Sequence, residues 1–269
     1  WERLRSLDLE AEAASLQTEE SLRSSARHAL YRASPVFFAR EQLRFEPWER
    51  QSEILLAVAR HDRVATRSGH KIGKGRIAAT LALWFASTHD GARVIITAPT
   101  NRQIRNILWR EVRSLYLGAR IPFGGHASES PEAGLRLPNG SEVFGFSTIE
   151  PERMAGISGV NVLFIVDEAS GVSESIFEAI EGNRAGGAKL ALFSNPTQTS
   201  GTFFEAFHAK REFWRGIHVR STETPEIPGL ATRAWCEEKK REWGEQSPLY
   251  QVRVLGNFPA AGSNSVVSF

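Results

Sequence analysis

The chain has 269 residues, 41% hydrophobic and 24% charged, with 7 Trp and 16 Phe. That length suits one large α/β domain, alone or with a small helical appendage, and the aromatic count implies a substantial core. No apolar run approaches the length of a membrane span, no signal-peptide pattern opens the chain, and the lone Cys236 excludes an intramolecular disulfide and argues against a Cys-based zinc site. A net charge of +2 permits a nucleic-acid partner without arguing for one, because clustering of charge matters more than its sum.

Residues 1–45, rich in Ala, Leu, Glu, Arg and Ser, read as a helical segment in which Leu22, Ala26, Leu30 and Tyr31 share a face. Ser34-Pro35 breaks it. Pro47 can sit in the first turn of the next helix, which carries Trp48, Ile54, Leu55 and Val58 at helical spacing. Strands and helices then alternate. Residues 63–66 predict a short strand, 69–74 a glycine-bearing loop, 77–87 a helix, 93–97 a β-branched strand and 101–117 a long helix. Residues 135–137 and 143–146 flank Pro138-Asn139-Gly140 and read as a hairpin, with Asn139-Gly140 suited to a tight primed turn. Residues 162–166 and 190–193 are fully apolar strands. This alternation predicts an α/β fold, a mainly parallel sheet covered by helices on both faces. Beyond Phe203 it fades, and 229–254 read as helical again. The expected division is a helical segment (1–45), a nucleotide-binding core (46–205), a small helical lid (206–259) and a linker (260–269) toward a further domain.

The strongest local signal is Arg67-Ser68-Gly69-His70-Lys71-Ile72-Gly73-Lys74-Gly75, between a strand and a helix. Glycines let backbone N–H groups turn toward an anion, and the helix N-terminus adds partial positive charge. Lys74 would reach the β- and γ-phosphates of a nucleotide, with Ser68 to Gly75 around them. The segment departs twice from the G-x-x-x-x-G-K-[S/T] phosphate loop. Its first glycine falls on Ser68, and the Mg²⁺-binding hydroxyl is replaced by Gly75.

The strand at 162–166 runs into Asp167-Glu168-Ala169-Ser170. Carboxylates at the C-terminal edge of a buried strand lie where open α/β sheets bind ligands. Asp167 would serve Mg²⁺ and Glu168 would orient and deprotonate an attacking water. An acidic turn capping the helix near 172–180 is the plainer explanation, but the phosphate loop upstream favours a P-loop ATPase with a catalytic glutamate.

Further motifs complete the pattern. Phe45-Glu46-Pro47-Trp48-Glu49-Arg50-Gln51 lies upstream, Ala98-Pro99-Thr100 between the two sites, and Ser194-Asn195-Pro196-Thr197 after them. Gly201-Thr202-Phe203-Phe204 and Arg253-Val254-Leu255-Gly256-Asn257-Phe258-Pro259 follow. In order and spacing, residues 45–259 resemble the ATPase domain of phage large terminases, a P-loop NTPase of the RecA/ASCE type. The resemblance implies that Gln51 contacts adenine, that Asn195 senses the γ-phosphate, and that Arg67 or Arg153 is an arginine finger. It implies hydrolysis of Mg²⁺-ATP coupled to movement of double-stranded DNA into a procapsid in the host cytoplasm. The implied partners are a capsid portal, a small terminase subunit and further copies in a ring, with an isolated chain monomeric and no membrane involved. The acidic cluster of a terminase nuclease is not found after Pro259, so no DNA cutting is expected of this chain.

On the helix at 101–117, Ile104, Ile107, Leu108 and Leu115 fall on one face and Arg102, Arg105 and Arg113 on the other, with Arg110 near its edge. That stripe is either a phosphate-gripping DNA track or a solvated face. Two other functions fit the same motifs. One is a helicase-like DNA translocase, which would need a second motor domain. The other is a nucleotide-binding scaffold that does not hydrolyse ATP, a reading that rests on Gly75.

Overall fold

The structure, a computed structural model, describes residues 21–128, 133–147 and 157–260. Residues 21–33 form helix α1, followed by α2 (Pro35–Glu41), α3 (Glu49–Arg60), β1 (Arg63–Ser68), α4 (Lys74–Thr88) and β2 (Arg93–Ala98). Residues 101–117 form one continuous helix, α5, then come β3 (His126–Ser128), β4 (Ala133–Arg136), β5 (Glu142–Ser147) and β6 (Val162–Asp167). The chain continues through α6 (Glu174–Arg184), β7 (Lys189–Ser194), α7 (Thr202–Glu205), β8 (Arg215–Val219), α8 (Arg233–Trp243) and α9 (Pro248–Arg253).

One eight-stranded sheet has the order β3-β4-β5-β2-β6-β7-β1-β8. From β5 to β8 neighbouring strands are parallel, and β3 and β4 add an antiparallel edge. Alternation along the strands divides the core between the two faces. Val64, Val94, Ile96, Leu163 and Ile165 pack with α2, α3, α4 and α5 on one side. Ala65, Ile95, Phe164, Val166, Leu190 and Leu192 pack with α6 and Phe203 of α7 on the other. Helix α4 is buried nearly all round, from Ile77 to Ala86, because the sheet lies under it and other helices cover it.

Four features depart from the sequence reading. The hairpin turn is not a two-residue primed turn. Gly140 N–H donates to Leu137 O at 3.1 Å across Pro138 and Asn139, Leu137 N–H donates to Ser141 O at 2.9 Å, and only Gly140 has positive φ (+77°). Proline at the second turn position fixes φ near −65°, which selects a type I turn followed by a left-handed glycine. Strand β8, inside the segment read as a lid, is an edge strand of the main sheet; of its five residues only Ile217 and Val219 are buried, too faint a pattern to read. Pro47 precedes α3, which starts at Glu49, rather than opening it.

The fourth is in α5. Residues Ile104–Trp109 form a π-turn between α-helical ends. One extra residue per turn advances the helical phase. Trp109 rotates into the core (3% exposed) beside Ile104, Leu108, Val112 and Leu115, and Ile107 rotates out to 51% exposed. Ile107 therefore leaves the buried face to which straight-helix spacing assigned it.

Candidate functional site

The loop of residues 69–73 joins the C-terminal end of β1 to the first turn of α4. Its carbonyl groups are turned outward and held by named donors. Ser68 O accepts from Asn195 Nδ2 (2.6 Å), His70 O from Ser221 Oγ (2.8 Å), Lys71 O from Ala231 N–H (2.9 Å) and Ile72 O from Gln51 Nε2 (3.1 Å). The N–H groups of Lys71, Ile72, Gly73, Lys74 and Gly75 meet no acceptor among the described residues. Successive free N–H groups at a helix N-terminus form an anion-binding concavity. Gly73 is required here: its φ is +89°, and a Cβ would lie 2.4 Å from Gln51 Nε2. Helix α4 has neither a side-chain cap nor an acidic residue in its first turn, so nothing in its own sequence neutralises that end. Gly69 and His70 do not contribute, because their N–H groups donate to Val219 O (3.0 Å) and Arg253 O (2.7 Å). Of the backbone assigned to phosphates in the sequence, only residues 71–75 remain free to serve. Burial, and then the nearby Lys74, lower the His70 pKa to about 4, so this side chain adds no charge at neutral pH.

Lys74 projects from the first position of α4 to Asn195 Oδ1 (3.0 Å) and Ser68 Oγ (3.3 Å). Asn195 is 5% exposed and follows β7, the strand that lies between β6 and β1 in the sheet. With one amide it accepts from the loop lysine and donates to the Ser68 carbonyl, joining the Ser-Asn-Pro-Thr turn to both ends of the loop.

Asp167 ends β6, and its buried Oδ1 has no hydrogen-bond partner among the described residues. Burial, reinforced by Glu168, raises its pKa to about 7, against the opposing pull of Lys74. A buried carboxylate oxygen without a donor fits a cation and its water shell, so the residues present suit Mg²⁺. Glu168 sits in the left-handed region (φ +51°), a strained conformation that costs about 1–2 kcal/mol and turns the chain sharply at the sheet edge. Ser194 Oγ accepts from Ser170 N–H (3.1 Å) and lies 3.4 Å from Glu168 Oε2. Ser170 Oγ accepts from the N–H groups of Thr197 (3.2 Å) and Gln198 (3.0 Å). The turn bearing the two acids and the turn bearing Asn195 are thus sewn together by two serines that the sequence reading did not single out. Their sequence signal is position alone, Ser194 at the end of β7 and Ser170 in the turn after β6.

Gln51 is 3% exposed; it donates to Ile72 O and accepts from Trp48 N–H (3.2 Å), so it braces the loop from behind. Gly75 has room for a side chain, since a Cβ there would meet Glu111, Ile107 and Leu108 at 3.7–3.9 Å. Arg67 is committed elsewhere, to Gly256 O (2.8 Å) and Asn257 Oδ1 (3.3 Å). Arg153 lies outside the described residues. Arg102, Arg105, Arg110 and Arg113 are all exposed on α5. A pocket of about 460 Å³ is framed by Arg105, Asn106, Trp109, Arg110 and Arg113, and Arg102 is not part of it.

No model of a protein family matches the chain. It is 29% identical over 247 residues to the probable terminase large subunit of Enterobacteria phage P7, a match covering 86% of this chain and 49% of the relative. The chain thus spans about half the length of the curated relative it matches. Among solved structures it is similar to the large terminase ATPase domain of Thermus phage P74-26, with TM-score 0.66 at 21% identity over 84% of this chain and 98% of that one. It is also similar to the large terminase of a thermophilic bacteriophage, with TM-score 0.62 at 14% identity over 85% of this chain and 53% of that one. By sequence, the chain is homologous to a probable phage terminase large subunit, and its fold is that of phage large-terminase ATPase domains.

Proposed function

We propose that this chain is the ATP-hydrolysing part of a DNA-packaging motor. The observation that carries the proposal is the loop itself. Its outward carbonyls leave five N–H groups free beside Lys74, at the same sheet edge as the orphaned oxygen of Asp167. The large terminase of the thermophilic bacteriophage, of the same fold, has been solved with ADP and with ATP-gamma-S. In the proposed reaction the N–H groups of residues 71–75 and the Lys74 ammonium hold the phosphates. Asp167 would hold Mg²⁺ through its water shell, and the bound ion would supply charge neutralisation to the phosphate oxygens. Glu168 orients a water and takes its proton as the water oxygen attacks the γ-phosphorus, giving ADP and phosphate. Asn195 accepts from Lys74 through Oδ1 and donates to Ser68 O through Nδ2; with nucleotide bound, an Nδ2–H would donate to a γ-phosphate oxygen and so report the nucleotide state to the turn at 194–198.

The track for double-stranded DNA is proposed on α5, with Arg105, Arg110 and Arg113 around the pocket and Arg102 further along the exposed face. Trp109, which lines the same pocket, has an indole N–H without a partner among the described residues. A grip on phosphates reads no sequence, as a translocating motor requires. A capsid portal, a small terminase subunit and a ring of copies in the host cytoplasm complete the proposal. Gly75 favours one second reading, a scaffold that binds nucleotide without turning it over. Steady-state ATP hydrolysis with and without Mg²⁺ separates the two. Mg²⁺-dependent turnover supports the motor, and Mg²⁺-independent binding with no turnover supports the scaffold.

A further inference from the structure

Arg67 stands on β1 directly before the phosphate loop, yet no carboxylate pairs with it among the described residues. Its guanidinium donates to Gly256 O and Asn257 Oδ1 and lies 5.6 Å from the Phe207 ring and 5.5 Å from the Phe258 ring. Burial, and then the nearby Arg220, push its pKa down, while the carbonyl oxygens and aromatic faces replace part of the hydration the cation has lost. Those contacts fix the segment 253–258 against the back of the loop. Gly256 has φ +64°, and a Cβ there would lie 2.6 Å from Ser68 C and 2.7 Å from Gly69 N. Arg253 O takes the His70 N–H, and Val254 O takes the N–H of Ser221, whose hydroxyl holds His70 O. Phe258 anchors the far end among Phe203, Phe204 and Phe207.

We infer that Arg67 is a positioning residue: it clamps the strap 253–258 behind the phosphate loop and thereby fixes the outward carbonyls and inward N–H groups that receive the nucleotide. This rests on the reading of residues 69–75 as a phosphate loop. It removes Arg67 from the arginine-finger role and gives the residues after α9 a mechanical path to the nucleotide. A finger acts on charge that develops at the γ-phosphate, whereas a strap acts on every phosphate the loop holds. ADP lacks the γ-phosphate, so it tells the two apart.

The test is calorimetric titration of the whole chain with Mg²⁺-ADP, alongside kcat at saturating ATP. The variants are Arg67→Ala and, remote from the loop, Asn257→Ala combined with Phe258→Leu. Arg67→Ala should weaken ADP binding about tenfold, as expected for loss of a charge-assisted hydrogen bond. The double variant should weaken it in the same direction, with kcat per bound enzyme changing by less than about threefold in both. Unchanged ADP affinity in the folded variants overturns the inference, and a fall in kcat of about 10³ with that result assigns Arg67 to the finger. If Arg67→Ala does not fold, the double variant decides by the same criteria. A wild-type chain that binds no ADP overturns the phosphate-loop reading, and the strap's role with it.

Discussion

Asn195→Ala tests the coupling between the Ser-Asn-Pro-Thr turn and the loop without any ligand. The substitution removes the donor to Ser68 O (2.6 Å) and the acceptor for Lys74 Nζ (3.0 Å). The first loss strands a backbone carbonyl in a buried setting, worth about 1–3 kcal/mol. The second costs less, about 0–1 kcal/mol, because the half-exposed lysine recovers water. Together they predict a loss of about 1–4 kcal/mol, which in a domain of this size lowers Tm by about 2–15 °C. Asn195→Asp keeps an acceptor for Lys74 but cannot donate to Ser68 O, so it should be no more stable than the alanine variant. Thermal unfolding followed by circular dichroism reads both. A Tm within about 1 °C of wild type for Asn195→Ala would reduce the amide bridge to a coincidence of packing.

Gly75→Ser should fold normally, since a Cβ there meets only ordinary contacts at 3.7 Å and beyond, and should strengthen the Mg²⁺ dependence of nucleotide binding by restoring a hydroxyl ligand; equal Mg²⁺ dependence in titrations of variant and wild type would move the metal elsewhere. The Asp167 pKa is raised to about 7 from 3.8. Its contribution to ligand-free stability is therefore present below about pH 4 and lost as pH rises through about 7. Mg²⁺ affinity should rise over the same interval as the carboxylate ionises, and a flat pH profile between about 5 and 8 would contradict that assignment. Arg105, Arg110 and Arg113 changed together to Ala should leave Tm within about 2 °C, because all three are exposed. The change should weaken double-stranded DNA binding equally across sequences and lower its salt slope by about 3; unaltered affinity at low salt would make the stripe a solvated face.

The sequence was most informative where burial leaves little choice. Residues 162–166 of β6 and 190–193 of β7 are all apolar because helices cover both faces of the sheet, and the acidic pair stands at the end of β6, at the edge where ligands bind. Strand β8 was not legible because an edge strand buries only Ile217 and Val219, and β3 because three residues carry no period. The π-turn in α5 leaves no mark in a helical pattern and shows itself only by exchanging Ile107 for Trp109. The motifs that carry Lys74, Asp167, Glu168 and Asn195 were visible in the sequence, and the roles of these residues are those proposed above. The contacts of Arg67 were not visible there, because its partners lie 189 and 190 residues away and belong to the tertiary fold. Ser170 and Ser194 were also missed, since a hydroxyl that ties two turns together is chemically ordinary until the turns are brought into contact.

In the proposed reaction Glu168, held in a left-handed turn beside Asp167, is the base of an ATPase. Glu168→Gln keeps the size and hydrogen-bonding reach of the side chain but cannot take a proton from water. The direct measurement is Mg²⁺-dependent phosphate release from ATP, paired with titration of ATP-gamma-S binding in the same preparation. Turnover should fall at least about 10²-fold with analogue affinity unchanged. A Glu168→Gln chain that retains most of its turnover would contradict that role of Glu168.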